Sequence, residues 1–187
     1  MSHVVLISGS PAASAKSNAL LAHIATGISK LGFSTATIVV RDFPAQDLVH
    51  AKFDSPAFEA PKALIASASG VVVATPVYKA AYSGLLKTFL DILPQTAFRG
   101  KTVLPIATGG SPGHLLAIDF SVKPLLAALA ATDVLQGVYA VDAQFSTGAE
   151  GNVVIGEEIV RRLDDSVQQL AANLRARGVP AAVVSEK

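Results

Sequence analysis

The chain predicts an α/β fold, a parallel sheet enclosed between two helical layers. Strand-like and helix-like patterns alternate along its 187 residues, with turn residues between them. Hydrophobic residues make up 51% and charged residues only 16%, the balance of a sheet buried on both faces. The length suits one well-packed domain, residues 1–187, better than two.

The elements follow in order. His3 to Ile7 is an apolar run that reads as a buried strand, and Ser8 to Asn18 is a turn of small and polar residues. A helix from about Ser17 to Leu31 ends at Gly32, a natural residue to leave a helix in the left-handed conformation. Ser34 to Val40 supplies a second strand. The connection from Arg41 to Pro56 is rich in Asp and Pro, and its length points to a functional or interface loop. A helix over Ala57–Ala68 leads into the β-branched strand Gly70–Ala74, and Ser83–Leu93 forms the next helix. Lys101–Ala107 is a fourth strand, Leu115–Ala131 a core helix, Val134–Val141 a fifth strand, and Gly156–Ala176 a closing amphipathic helix. Phe145–Asn152 is expected to be a mobile loop, and Ala181–Lys187 to fray. Five strands with intervening helices give a flavodoxin-like three-layer sandwich, its five-stranded parallel sheet ordered 2-1-3-4-5.

Composition narrows the function classes. A formal net charge of +1, with no basic run, argues against nucleic acid and against an acidic membrane surface. The absence of cysteine removes disulfides, Fe–S clusters, thiolate nucleophiles and cysteine-based zinc sites. The longest apolar stretch is interrupted by Asp119, Lys123 and Pro124, so it reads as a core helix and not a membrane span. No charged segment precedes the short apolar run at the N-terminus, as a signal peptide would require. A soluble cytoplasmic protein is expected. His3, His23 and His50 lack metal-ligand spacing, and His114 reads as a structural loop histidine.

In an open parallel sheet, ligands bind beyond the carboxyl ends of the strands. Three loops leave such ends here. The first carries Ser10, Lys16, Ser17 and Asn18 just before a helix, more polar donors than one helix cap needs, and the helix N-terminus adds positive partial charge. A phosphate is the expected occupant. Lys16-Ser17 does not complete a Walker A motif, because Ala15 replaces the required glycine and the spacing from Gly9 is one residue too long. A dinucleotide fingerprint is also absent. The second loop, Thr75 to Gly84, offers Pro76, Val77 and Tyr78 as a stiff apolar and aromatic wall for a flat ring, or else a helix entry with Ser83 as cap. The third, Thr108 to His114, places Thr108, Gly109 and Gly110 where backbone can approach a ligand closely. Phosphate, ring and glycine-lined edge together describe FMN.

Several runs carry a resemblance to a known family. Gly9-Ser10-Pro11 with Ser17, Phe53-Asp54-Ser55-Pro56-Ala57, Ala74 to Leu93 (ATPVYKAAYSGLLKTFLDIL) and Leu104 to Leu126 (LPIATGGSPGHLLAIDFSVKPLL) resemble the NAD(P)H-dependent FMN reductases. The likeness is greatest to the alkanesulfonate-assimilation type, which feeds reduced flavin to a monooxygenase. It covers about residues 3 to 142. It implies that Ser10, Lys16, Ser17 and Asn18 hold the flavin phosphate, that Pro76, Val77 and Tyr78 border the isoalloxazine, and that Thr108, Gly109 and Gly110 bind its edge. It also implies NADPH or NADH as hydride donor, a flavin-dependent monooxygenase receiving FMNH2, and a homodimer or homotetramer with Lys87 and Asp91 near the interface. Two departures stand out. Ala12 occupies a position where the family commonly has arginine, which leaves Lys16 as the cationic phosphate contact. Phe120 replaces a tyrosine in a helix distorted by an extra residue, keeping the ring and losing the hydroxyl.

No catalytic acid–base pair is expected, because the flavin supplies the redox chemistry and the protein orients two rings. Arg41 and Lys79 read as solvated charges, though either could meet a 2′-phosphate. The alternatives are an FMN-retaining quinone or azo reductase and a non-enzymatic flavodoxin-like electron carrier.

Overall fold

A computed structural model describes residues 3–149 and 151–181. Strands β1 (Val4–Ser8), β2 (Thr35–Val39), β3 (Gly70–Pro76) and β4 (Thr102–Gly109) are all parallel and lie in the order β2-β1-β3-β4. The next position beside β4 is filled by two short strands, β5 (Asp133–Val134) and β6 (Val138–Val141), where a single strand over 134–141 was expected. Gly137 explains the break. Its φ is +89°, and a Cβ there would run into the backbone and ring of Pro105 on β4. The expected 2-1-3-4-5 order holds, with its fifth member interrupted.

Side chains alternate across the sheet and build a core on each face. Val5, Ile7, Val71, Val73 and Val103 pack with α3 (Glu59–Ser67), α4 (Gly84–Leu90) and α5 (Lys123–Ala128). Val4, Leu6, Val72, Leu104 and Ile106 pack with α1 (Lys16–Lys30) and α6 (Glu157–Ala176). The amphipathic stripe of α6 buries Ile159, Leu163, Val167, Leu170 and Leu174, which is the spacing its sequence predicted.

Three segments differ from expectation. The Arg41–Pro56 connection is not all loop, for it contains α2 (Ala45–Val49), whose Leu48 joins the core. The helix expected over Leu115–Ala131 follows a 3-10 turn at Pro112–His114 and is itself divided into a π-helical turn at Ile118–Val122, the extra-residue distortion around Phe120 that the family resemblance implied, and α5. Pro124 has no N–H to return to the Phe120 carbonyl, so α-helical pairing cannot run through that point. Phe145–Asn152, read as a mobile loop, begins an antiparallel hairpin of β7 (Phe145–Thr147) and β8 (Val153–Ile155). Phe145 and Ile155 pack on the core, which anchors it. The expected fraying beyond residue 181 lies outside the described residues.

Candidate functional site

The carboxyl ends of β1, β3, β4 and β6 meet at one edge of the sheet, with Ser8, Pro76 in register with Thr108, and Gly109 in register with Val141. A cleft of about 300 Å³ opens there. Eight of the ten residues singled out from sequence line it: Ser10 and Lys16 from the first loop, Pro76, Val77 and Tyr78 from the second, and Thr108, Gly109 and Gly110 from the third. Ser17 and Asn18 do not line it.

Each loop is braced by a polar side chain. In the first, Ser8 donates to Asn18 Oδ1 at 2.6 Å and Asn18 Nδ2 donates to the Ala13 carbonyl at 3.1 Å, so this amide is spent on holding the loop. Ser10 accepts from the Ala12 N–H at 3.2 Å. Ser83, 1% exposed, donates to the Gly9 carbonyl at 2.5 Å and caps α4 by accepting from Leu86 N–H at 3.0 Å. Its own N–H donates to Thr75 Oγ1 at 2.9 Å, which in turn donates to the Pro76 carbonyl at 2.9 Å. This buried relay ties the first loop to the second. The third loop is tied to the second by Val77 N–H on the Thr108 carbonyl at 2.7 Å. It is also held by the Tyr139 hydroxyl, which donates to the Ser111 carbonyl at 2.7 Å. Burial, helped by the nearby Asp142 charge, pushes the Tyr139 pKa up and keeps that donor protonated. A Cβ on Gly109 would overlap the same hydroxyl.

The start of α1 bears on what the cleft can hold. Ser17 is 1% exposed, and its hydroxyl has no hydrogen-bond partner among the described residues. It sits in the first turn of α1, where helix N–H groups lack internal acceptors and the dipole favours an anion. A buried orphan hydroxyl beside such N–H groups fits an anionic oxygen ligand.

The tip of the second loop is strained. Tyr78 and Ala81 exchange backbone hydrogen bonds of 2.8 and 3.1 Å, and the two residues between them, Lys79 and Ala80, have φ of +50° and +64°. That is a two-residue hairpin turn of the kind usually built from Asn-Gly, here made without glycine. Tyr78, half exposed, stands on its rim.

Asp142 is the cleft residue that sequence reasoning missed. It follows β6 directly and forms an ion pair with Lys16, Nζ to Oδ1 2.8 Å. The signal was available, since it leaves a fourth strand's carboxyl end, but it lies in an otherwise apolar run. Tyr139 carried no such signal. Of the other candidates, Lys87 and Asp91 pair with each other at 2.6 Å. Lys79 is exposed, whereas Arg41 is not a fully solvated charge: its Nη1 is buried without a partner among the described residues. His114 does not line the cleft, and no cluster of three or more metal-ligating side chains occurs among the described residues. A larger groove of about 740 Å³ between α1 and α6 lies elsewhere, with the His23–Asp164 pair as its main polar feature.

A parallel sheet ordered 2-1-3-4-5, with a helix start and a glycine-lined wall meeting at one cleft beyond its strand ends, defines a flavodoxin-like α/β protein. Residues 2–146 match the family model described as NADPH-dependent FMN reductase. The chain is 45% identical to an FMN reductase (NADPH) from Pseudomonas putida, across 98% of this chain and 95% of that one. It is 46% identical to an FMN reductase (NADPH) from Escherichia coli K12, over 75% of this chain and 74% of the relative. An NADH:FMN oxidoreductase solved in its apo form superposes with a TM-score of 0.83 at 32% identity, covering 92% of this chain and 90% of the other. The chain belongs to the NADPH-dependent FMN reductase family, and it is an NAD(P)H-dependent oxidoreductase acting on FMN.

Proposed function

We propose that the three-loop cleft is where FMN is reduced, and that the enzyme, a single cytoplasmic domain, releases FMNH2 to a flavin-dependent monooxygenase of alkanesulfonate or related sulfur assimilation. Convergence of the three loops on one cleft carries this reading, together with the buried hydroxyl of Ser17, unpartnered among the described residues, which follows the cleft-lining Lys16 in the first turn of α1. In it, the start of α1 with Ser10, Lys16 and Ser17 receives the phosphate, and Asn18 holds the loop in shape. Pro76, Val77 and Tyr78 border the ring, and Thr108, Gly109 and Gly110 supply backbone at its edge.

Bound FMN supplies hydride acceptance from a reduced nicotinamide. The protein's part is to fix and expose the ring. The Thr75–Ser83–Gly9 relay and the Val77–Thr108 bond hold phosphate loop and ring loop at a set separation. At about 300 Å³ the cleft is at the small end of ligand sites, and its glycine and apolar walls would hold a flavin at its edge and side. No side chain needs to move a proton.

A homodimer or homotetramer is part of the same proposal, favoured by Leu115, Leu116 and Phe120, large apolar side chains 51–78% exposed around the π-helical turn. Steady-state oxidation of NADPH and NADH with added FMN or riboflavin tests the reaction. Turnover that depends on added FMN, from protein that loses flavin on gel filtration, supports release. Yellow protein that retains flavin and reduces a quinone instead would overturn it.

A further inference from the structure

Among the described residues the cleft holds one cationic and one anionic side chain, and they are paired with each other. Lys16 Nζ lies 2.8 Å from Asp142 Oδ1 and 5.6 Å from the centre of the Phe145 ring. Lys16 opens α1 on one wall. Asp142 follows β6 and faces the third loop, where a Cβ on Gly110 would lie 3.9 Å from Asp142 Oδ2. The carboxylate therefore stands between the cation of the phosphate loop and the glycine backbone opposite. Lys16 is partly exposed at 34% and Asp142 exposed at 56%, so the pair adds little to the stability of the fold. Its consequence is for ligands.

A site selected only for phosphate affinity would leave its lysine unpaired. Here an incoming dianion competes with a carboxylate for the same ammonium group, then remains next to that carboxylate as a like charge. We infer that Asp142 is a specificity-determining residue that lowers affinity for the flavin's phosphate, speeding release of the flavin and narrowing the preference for FMN over riboflavin. The inference rests on the FMN reading of the cleft. It separates cleanly from a purely structural role, because loss of an anchor would affect both flavins alike, whereas loss of a charge acts only on the phosphorylated one and fades with salt.

The test is Asp142→Asn, which keeps the shape and removes the charge, titrated with FMN and with riboflavin at about 0.05 M and about 0.5 M salt. At low salt the variant binds FMN about five- to tenfold more tightly than wild type, and its FMN dissociation slows by a similar factor in stopped flow. Riboflavin affinity stays within about twofold, and the gain for FMN shrinks at high salt. Lys16→Gln moves the other way, weakening FMN and sparing riboflavin. Asp142→Ser is titrated in parallel, so that a folding defect in one variant leaves the comparison intact. Wild type that binds FMN while neither Asp142 variant binds it more tightly would overturn the inference and leave the cleft reading standing. So would equal tightening of both flavins. Wild type that binds no FMN at all would overturn the cleft reading, and the inference with it.

Discussion

Ser83→Ala removes the central link between two loops, and its cost follows from the two hydrogen bonds of the side-chain hydroxyl. That hydroxyl is buried, donates to the Gly9 carbonyl at 2.5 Å, and accepts from Leu86 N–H at 3.0 Å as the cap of α4. Loss of a serine cap costs about 1 kcal/mol. Leaving the Gly9 carbonyl unpaired in a buried setting costs about 1–3 kcal/mol more. The variant should therefore lose roughly 2–4 kcal/mol. For a chain of this size that lowers Tm by roughly 5–12 °C in a calorimetric scan. Ser67→Ala is the control, because Ser67 bonds the Leu64 carbonyl on an exposed helix end and should change stability by less than about 0.5 kcal/mol. The two variants also differ in flavin binding, since only Ser83 sets the position of Gly9. If Ser83→Ala melts within about 2 °C of wild type, the relay does not hold the two loops together as described.

Three further outcomes follow from other parts of the structure. Burial pushes the Asp133 pKa up, but hydrogen bonds from Thr102, Arg177 and Asn173, with the Arg177 charge, outweigh it and hold it below the usual carboxylate value. Its folded pKa is depressed, so its stabilisation is complete above the unfolded pKa of about 3.9 and is lost as pH falls through the folded value. Asp133→Asn should melt lower than wild type at neutral pH, and the gap should close below about pH 4 in thermal melts. Replacing Lys79-Ala80 by Asn-Gly relieves two left-handed residues and should raise Tm by about 2–4 °C, equivalent to about 1 kcal/mol; an unchanged or lower Tm refutes the strain. Phe120→Glu, at a side chain 78% exposed, should shift the protein to smaller assemblies in light scattering with little change in Tm, and an unchanged mass refutes its place in the contact.

The sheet was legible because its signal is repeated. Each strand is an apolar or β-branched run with turn residues on both sides, and two core faces reinforce the same register. Its exceptions are local. Gly137 splits the last strand because it packs on Pro105, a contact between residues far apart in sequence. Pro124 was visible as an interruption, but the π-helical turn before it was implied only by the family resemblance at Phe120, because it depends on how the flanking turns pack. The ligand loops were legible as composition; the braces within them were not. Ser83 reads equally as a helix cap, and only the fold brings it to Gly9, 74 positions away. Asp142 and Lys16 meet for the same reason.

These braces also bear on why the cleft needs so few charged groups. Hydride transfer between two rings asks for separation and orientation, and a side chain that titrates adds nothing to either. Neutral hydroxyls and amides donating to backbone carbonyls meet that need without a net field: Asn18 on Ala13, Ser83 on Gly9, Thr75 on Pro76, Tyr139 on Ser111. In the proposed reading, charge is left to act on the phosphate of the flavin. On that reading, pairing Lys16 with Asp142 would make affinity adjustable without disturbing the geometry on which transfer depends, because neither residue belongs to the buried relay.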